Sequence, residues 1–316
     1  MLTSWKFWAG MLLLPALIWL VEDAYGWQAV LASWQSIPPA SLAIATALMA
    51  VSYLLRALRF YDFFHAACHG QFTRLLRITV LHNFFNNMLP MRSGETAFPL
   101  LMKQHFGLPY RHSAPALLWL RLLDLYALLA LAVFSLQEKL PVPQPWFYPL
   151  AVLLLIAPLL VLPLQNGLNR FLSNHERGWA NKAAELMHAL PDSPWPFTRA
   201  LLWTLFNWAL KLAVYAWLLG QFLPAIDYSQ SWVGATTGEL SSVLPVHGVA
   251  GAGSYEAGVL AGLIPRGIPP EQALAAAVNL HLFVLGTTLL LTGLITLLTY
   301  PVAGPPEARP APATDE

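Results

Sequence analysis

Asn83-Phe-Phe-Asn-Asn-Met-Leu-Pro90-Met-Arg92-Ser93-Gly94-Glu95 is an apolar run stopped by Leu-Pro and followed by a small polar turn that ends in an acid. The arrangement returns as Leu244-Pro245-Val-His247-Gly-Val-Ala-Gly-Ala-Gly253-Ser254-Tyr255-Glu256. Proline lacks the amide donor and clashes with the preceding turn, so a helix must stop at Pro90 and again at Pro245. The apolar halves leading into the breaks, 78–89 and 231–244, are 12 and 14 residues long. A crossing helix needs about 20. Both halves are therefore expected to enter a membrane and turn back, giving re-entrant hairpins over 78–106 and 230–264. Ser93 and Ser254 are placed to cap the returning helices. Glu95 and Glu256 then fall in the first turn, where the helix dipole favours an acid.

Composition supplies the membrane. Of 316 residues, 57% are hydrophobic and 10% charged, against about 25% charged in soluble domains. Mean hydropathy is +0.54. The net charge of +1 offers no basic surface for nucleic acid, and a single cysteine, Cys68, excludes an internal disulfide. Segments 5–21, 40–58, 113–136, 146–165, 200–223 and 271–300 are expected to span. Glu22-Asp23-Ala24-Tyr25 is a poor cleavage site, so the first segment reads as an uncleaved span rather than a signal peptide. The expected fold is an all-α polytopic membrane protein with about six transmembrane helices plus the two hairpins. It forms one domain over 1–300, followed by a disordered Pro- and Ala-rich tail at 301–316. Segment 169–190 reads as a cytoplasmic amphipathic helix.

Basic residues set the orientation. Lys6, Arg56, Arg59, Arg74, Arg77, Lys103, Arg111, Arg170, Arg177, Lys182, Arg199 and Arg309 fall on one side in this arrangement, and only Lys139 and Arg266 on the other. Both termini are thus expected in the cytoplasm. The second half, 140–300, then repeats the first, 1–139, upside down, as in many transporters.

Arg92, Glu95, Arg121, Asp124, Lys211, Glu239 and Glu256 lie in or beside apolar segments. A charge at the bilayer centre costs about 2.5–3.5 kcal/mol even on a mild scale, so these residues must be paired or must line a wet cavity. Arg92 and the amides of Ser93, Gly94 and Glu95 sit at a broken backbone, where a guanidinium fork and a helix N-terminus suit a phosphate. Asn83, Asn86 and Asn87 either extend that polar path or satisfy the freed backbone. Gly248, Gly251 and Gly253 permit positive φ and close approach at the second turn, or tight helix packing. Arg121 and Asp124, three residues apart on one face, read equally as a structural salt bridge. Lys211 is expected to meet Glu239, Glu256 or a lipid phosphate. Together these side chains form the expected lipid-headgroup site. His65, Cys68 and His69 have ligand-like spacing without a fourth ligand, so no metal or other cofactor is expected. No Ser/His/Asp set stands in a nucleophile context, and the thirteen tryptophans read as interfacial anchors.

Arg56-x-x-Arg59-Phe60, Asn87-Met-Leu-Pro90-x-Arg92-x-Gly94-Glu95, Arg121-Leu-Leu-Asp124 and the segment from Leu244-Pro245 to Gly251-x-Gly253-x-x-Glu256 carry a resemblance. They resemble the flippase-like membrane proteins related to the transmembrane domain of lysylphosphatidylglycerol synthase, across nearly the whole chain. The chain departs from that pattern at Phe98-Pro99, where the family usually carries an arginine. It departs again at His247 and Ala250, which interrupt a Gly-Gly-x-Gly-x-x-Glu motif. The resemblance implies movement of a lipid between leaflets of a bacterial inner membrane, the lipid being anionic, aminoacylated, isoprenoid-linked or hopanoid. It implies a membrane lipid as substrate and leaves room for a lipid-synthesising partner enzyme. No long polar segment matches the soluble aminoacyl-transferase domain of fused members, so synthesis by this chain is not expected. Two rivals stand beside this reading. One is a membrane enzyme acting on a lipid headgroup with Glu95 or Glu256 as general base. The other is a non-catalytic subunit that docks an enzyme through 169–190.

Overall fold

The computed structural model describes residues 5–89, 94–134, 143–164, 167, 183, 186–187, 189–190, 194–243 and 248–299, with side chains from residue 15 onward. Pro90, Arg92, Ser93, Pro245 and His247 lie outside the described residues, as do most of 169–190 and all of 300–316. Helices follow one another as α1 (Trp5–Ala24), α2 (Trp27–Ala32), α3 (Pro39–Phe63), α4 (His65–Cys68), α5 (Phe72–Met88) and α6 (Ala97–Phe106). They continue as α7 (Tyr110–Phe134), α8 (Gln144–Ile156), α9 (Pro194–Phe222), α10 (Tyr228–Val243), α11 (Ser254–Leu263) and α12 (Pro270–Thr299). No strand occurs among the described residues. Five helical segments are long and apolar enough to cross a membrane: α3, most of α7, Gln144–Leu164, α9 and α12. The chain is an all-α polytopic membrane protein.

Helix α9 sits at the centre, packed against α3, α7, α10 and α12. Its Leu212, Val214, Tyr215, Ala216, Leu218 and Leu219 are buried in the main core. Outward faces keep large apolar residues, such as Leu289, Leu290, Leu297 and Leu298 of α12. That is the pattern of a helix whose solvent is lipid.

Helix α3 corrects the sequence reading of its own end. It runs past Leu58 to Phe63, so Arg56 and Arg59 lie inside the helix, 7% and 2% exposed, and not on a cytoplasmic surface. The apolar run ends early because arginine scores as water-seeking. Here both guanidiniums turn inward to polar partners, and neither belongs in the orientation count.

Each break differs in detail from expectation. Residues 94–96 form a 3-10 turn, and α6 starts at Ala97 with Thr96 as its N-cap, so Glu95 precedes the helix rather than lying in its first turn. Gly94 is pressed onto the end of α5: a Cβ there would lie 2.3 Å from the Phe85 carbonyl carbon. No other residue fits. At the second break the N-cap of α11 is Gly253, with Ser254 already the first helical residue. Ala250, Gly251 and Gly253 have φ of 53, 78 and 81°, while Gly248 is at −66°. Ala250 thus occupies a left-handed conformation that costs an L-residue about 1–2 kcal/mol.

Helices α10 and α11 form an antiparallel hairpin. Gly234 faces Leu263, Gly238 faces Val259, Gly258 faces Ser241 and Gly262 faces Thr237. Both helices therefore present a Gly-x-x-x-Gly ridge to each other, the small-residue packing that lets membrane helices approach backbone to backbone. A Cβ on Gly258 would meet the Thr237 carbonyl oxygen at 2.7 Å, and one on Gly262 the Thr237 Oγ1 at 2.3 Å. The 3-10 turn Val249–Gly251 between them packs against α5, which brings the second break up to the first broken helix.

Candidate functional site

A cavity of about 570 Å³ opens among α3, α5, α7, α9, α10 and α12. Asn83, Asn87, Glu95, Arg121, Asp124, Lys211, Glu239 and Gly251 line it. These residues come from four helices and both breaks, so the fold gathers most of the residues singled out in the sequence. Arg92 and Ser93 are outside the described residues. Gly94, Gly253 and Glu256 stand behind the wall and act on it through neighbours.

Asp124 is the most heavily committed acid. Arg59 donates to it through both Nη atoms, Nη2 reaching Oδ2 at 3.2 Å, while Nη1 also reaches Thr204 Oγ1 at 3.1 Å. Trp208 Nε1 donates to Oδ1 at 2.9 Å, and Arg121 Nη1 to Oδ2 at 3.3 Å. All of these partners but Arg121 are buried. The cluster ties α3, α7 and α9 together, and a carboxylate accepting several charge-assisted bonds has no acceptor capacity to spare.

Arg121 reaches from Asp124 back to the first break. Its Nε donates to the Glu95 carboxylate at 3.0 Å, and Nη2 lies 3.0 Å from His82 Nε2. Arginine offers donors only, so the His82 Nε2 lone pair is the acceptor. Across the cavity Lys211 Nζ donates to Glu239 Oε2 at 2.7 Å. The same ammonium sits 4.7 Å from the Trp208 ring and 5.2 Å from the Tyr215 ring, two cation–π contacts that help to replace lost water.

Glu256 turns back to accept from the Gly253 N–H at 2.8 Å, which satisfies one of the orphan amides at the start of α11. Its other oxygen lies 2.6 Å from His281 Nδ1. His281, in turn, lines the cavity beneath Tyr255, with ring centroids 4.6 Å apart. The second break is thereby fastened to α12. Tyr53 and Asn87 both donate to Thr288 at 3.1 Å, which fastens α3 and α5 to the same helix.

Three wall residues escaped the sequence reading. Arg56 was counted among the cytoplasmic-side cations and quoted in the family motif but not placed in the headgroup site, Trp208 was read as an interfacial anchor, and His281 was not singled out. Trp208 is 4% exposed and anchors Asp124 instead of an interface. The signal for Arg56 was its i, i+3 spacing to Arg59, which places both on one face.

At the other end of the bundle His65 and His69 pack edge to face, 5.0 Å between centroids, and Cys68 is fully buried. Among the described residues no three His, Cys, Asp or Glu side chains converge as metal ligands. Burial pushes the Cys68 thiol up to about 12.

The family model described as the lysylphosphatidylglycerol synthase TM region matches residues 7–292. No curated protein matches the chain.

Proposed function

The chain belongs to the family of the lysylphosphatidylglycerol synthase TM region, and from that premise we propose that it carries a lipid between the leaflets of a bacterial inner membrane, without itself making that lipid. One observation supports this reading above the others. The cavity has a charged wall and a greasy wall that continues to the outside: Leu89, Leu118 and Leu122 line it and are 41, 50 and 41% exposed. A headgroup held by Arg121, Lys211 and the asparagines would leave its acyl chains among those leucines and in the bilayer. Such a guest never exposes its charge to hydrocarbon, where it costs most. The chemistry is positional, so the substrate is a membrane lipid and any enzyme that makes it is a separate partner.

Reconstituted protein is expected to speed the exchange of a fluorescent phosphatidylglycerol between leaflets, read as the fraction quenched by an impermeant reductant. A rate equal to that of protein-free vesicles overturns the reading. The same assay addresses a second reading favoured by one contact. The carboxylate of Glu256 orients the ring of His281 at the cavity wall as it would for a general base. Turnover of the lipid to a species of different mass, without change of leaflet, would select that reading.

The proposed hairpins enter from opposite faces and both termini are cytoplasmic. Gln71, before α5, and Asp227, before α10, are exposed, and the buried Cys68 thiol, protonated at neutral pH, stays silent to maleimide. Gln71→Cys is expected to label from the cytoplasmic face and Asp227→Cys from the opposite face. Labelling of both from one face overturns the arrangement.

A further inference from the structure

Arg56 is the one cation of the cavity wall left without a carboxylate among the described residues. It is 7% exposed, and its single hydrogen-bond partner there is a neutral one, Asn83 Oδ1, at 2.7 Å from Nη1. Its Nε is buried with no partner at all. The nearby acids are already engaged. Asp124 is saturated by Arg59, Arg121 and Trp208, and Glu239 is held by Lys211. Arg59, one turn further along α3, does not line the cavity and is spent on Asp124.

A buried guanidinium with no ion pair of its own is costly, because Asp124, the acid that acts on it at longer range, is already bonded to two other arginines. With Nη1 occupied, Nη2 is the donor left to meet a phosphate oxygen, and the buried, unpartnered Nε beside it on the same edge would complete a side-on fork as the guest seats. One turn past Asn83 on α5, Asn86 lines the cavity and adds a second unmet group: its Oδ1 is buried with no hydrogen-bond partner among the described residues. We infer that Arg56 is the specificity-determining residue of the cavity, binding the phosphate of a singly anionic phosphodiester headgroup, with Asn86 beside it for a headgroup hydroxyl. The inference rests on the lipid-carrying reading and sharpens it: the guest is anionic rather than zwitterionic, and its phosphate faces α3.

The test is native mass spectrometry of the full-length protein in detergent, offered phosphatidylglycerol and phosphatidylcholine of matched acyl chains, with inorganic phosphate as competitor. The phosphate is common to both lipids, so the discrimination is one of net charge: the unpaired guanidinium opposes entry of the choline ammonium, and the unsubstituted protein is expected to retain phosphatidylglycerol over phosphatidylcholine by about tenfold or more. Arg56→Gln, which keeps a neutral amide donor and removes the charge, is expected to bring that ratio close to one. Arg56→Lys keeps the charge and is expected to restore part of it. The melting temperature of Arg56→Gln is expected to hold or rise, since the substitution removes an uncompensated buried charge. A clear fall in melting temperature would make Arg56 a structural residue and overturn the inference, as would an unchanged lipid ratio. If the unsubstituted protein retains inorganic phosphate and Arg56→Gln does not, while neither lipid is retained by any form, the anion site stands and the lipid reading falls. If exchange between leaflets proceeds equally for both lipids with and without Arg56, the lipid reading stands and the inference falls.

Discussion

Asp124→Ala is expected to cost about 3–5 kcal/mol of stability, enough to abolish accumulation of folded protein, because it strands a buried cation rather than merely deleting a bond. Arg59 is 2% exposed and directs both Nη atoms at this carboxylate. Arg121 keeps Glu95, and Trp208 loses only a neutral donor's partner. The loss is therefore dominated by one uncompensated guanidinium. Its origin is checked by the pair Arg59→Met with Asp124→Leu, which removes both charges at similar volume. That double variant is expected to recover most of the melting temperature lost by Asp124→Ala, short of about 1 kcal/mol for each orphaned hydrogen bond of Thr204 and Trp208. Thermal unfolding in detergent reads both. A double variant no better than the single one would show that the cluster contributes through its bonds and not through charge balance.

The contrast between Arg59 and Arg56 explains how far the sequence could be read. Helix existence followed from apolar runs and held among the described residues, since lipid leaves the backbone no alternative to internal hydrogen bonds. The breaks at the two prolines were legible for the same local reason. What a chain of letters does not carry is the direction in which a charged side chain turns at the end of an apolar run. Arg56 and Arg59 look alike there, yet among the described residues one is ion-paired with a residue 65 positions away and the other bonds only the neutral Asn83. Asp124 and Lys211 were identified as expensive, but their partners come from separate helices and are fixed only by packing. The Gly-x-x-x-Gly ridges at 234/238 and 258/262 were visible in the sequence. They were passed over because attention to glycine went to the turn, where Gly251 and Gly253 take positive φ alongside Ala250.

Lys211→Met is expected to lower stability by about 3–5 kcal/mol by leaving the Glu239 carboxylate buried without its ammonium. Lys211 Nζ lies 2.7 Å from that carboxylate, whose only other side-chain donor among the described residues, Ser242 Oγ, is 3.5 Å away. Lys211→Met combined with Glu239→Gln removes both charges and is expected to return the melting temperature to that of the unsubstituted protein or above. Function and structure then separate. If the pair only staples α9 to α10, leaflet exchange in the double variant matches the parent. On the proposed function it does not, because Lys211 and Glu239 line the cavity and are the groups a passing headgroup can trade for its own charges. Exchange is expected to fall by at least about tenfold, corresponding to loss of one charge-assisted contact worth roughly 1.5–3 kcal/mol. A stable double variant with full exchange would remove Lys211 and Glu239 from the path and confine the headgroup to the α3, α5 and α7 side of the cavity, around Arg56 and Arg121.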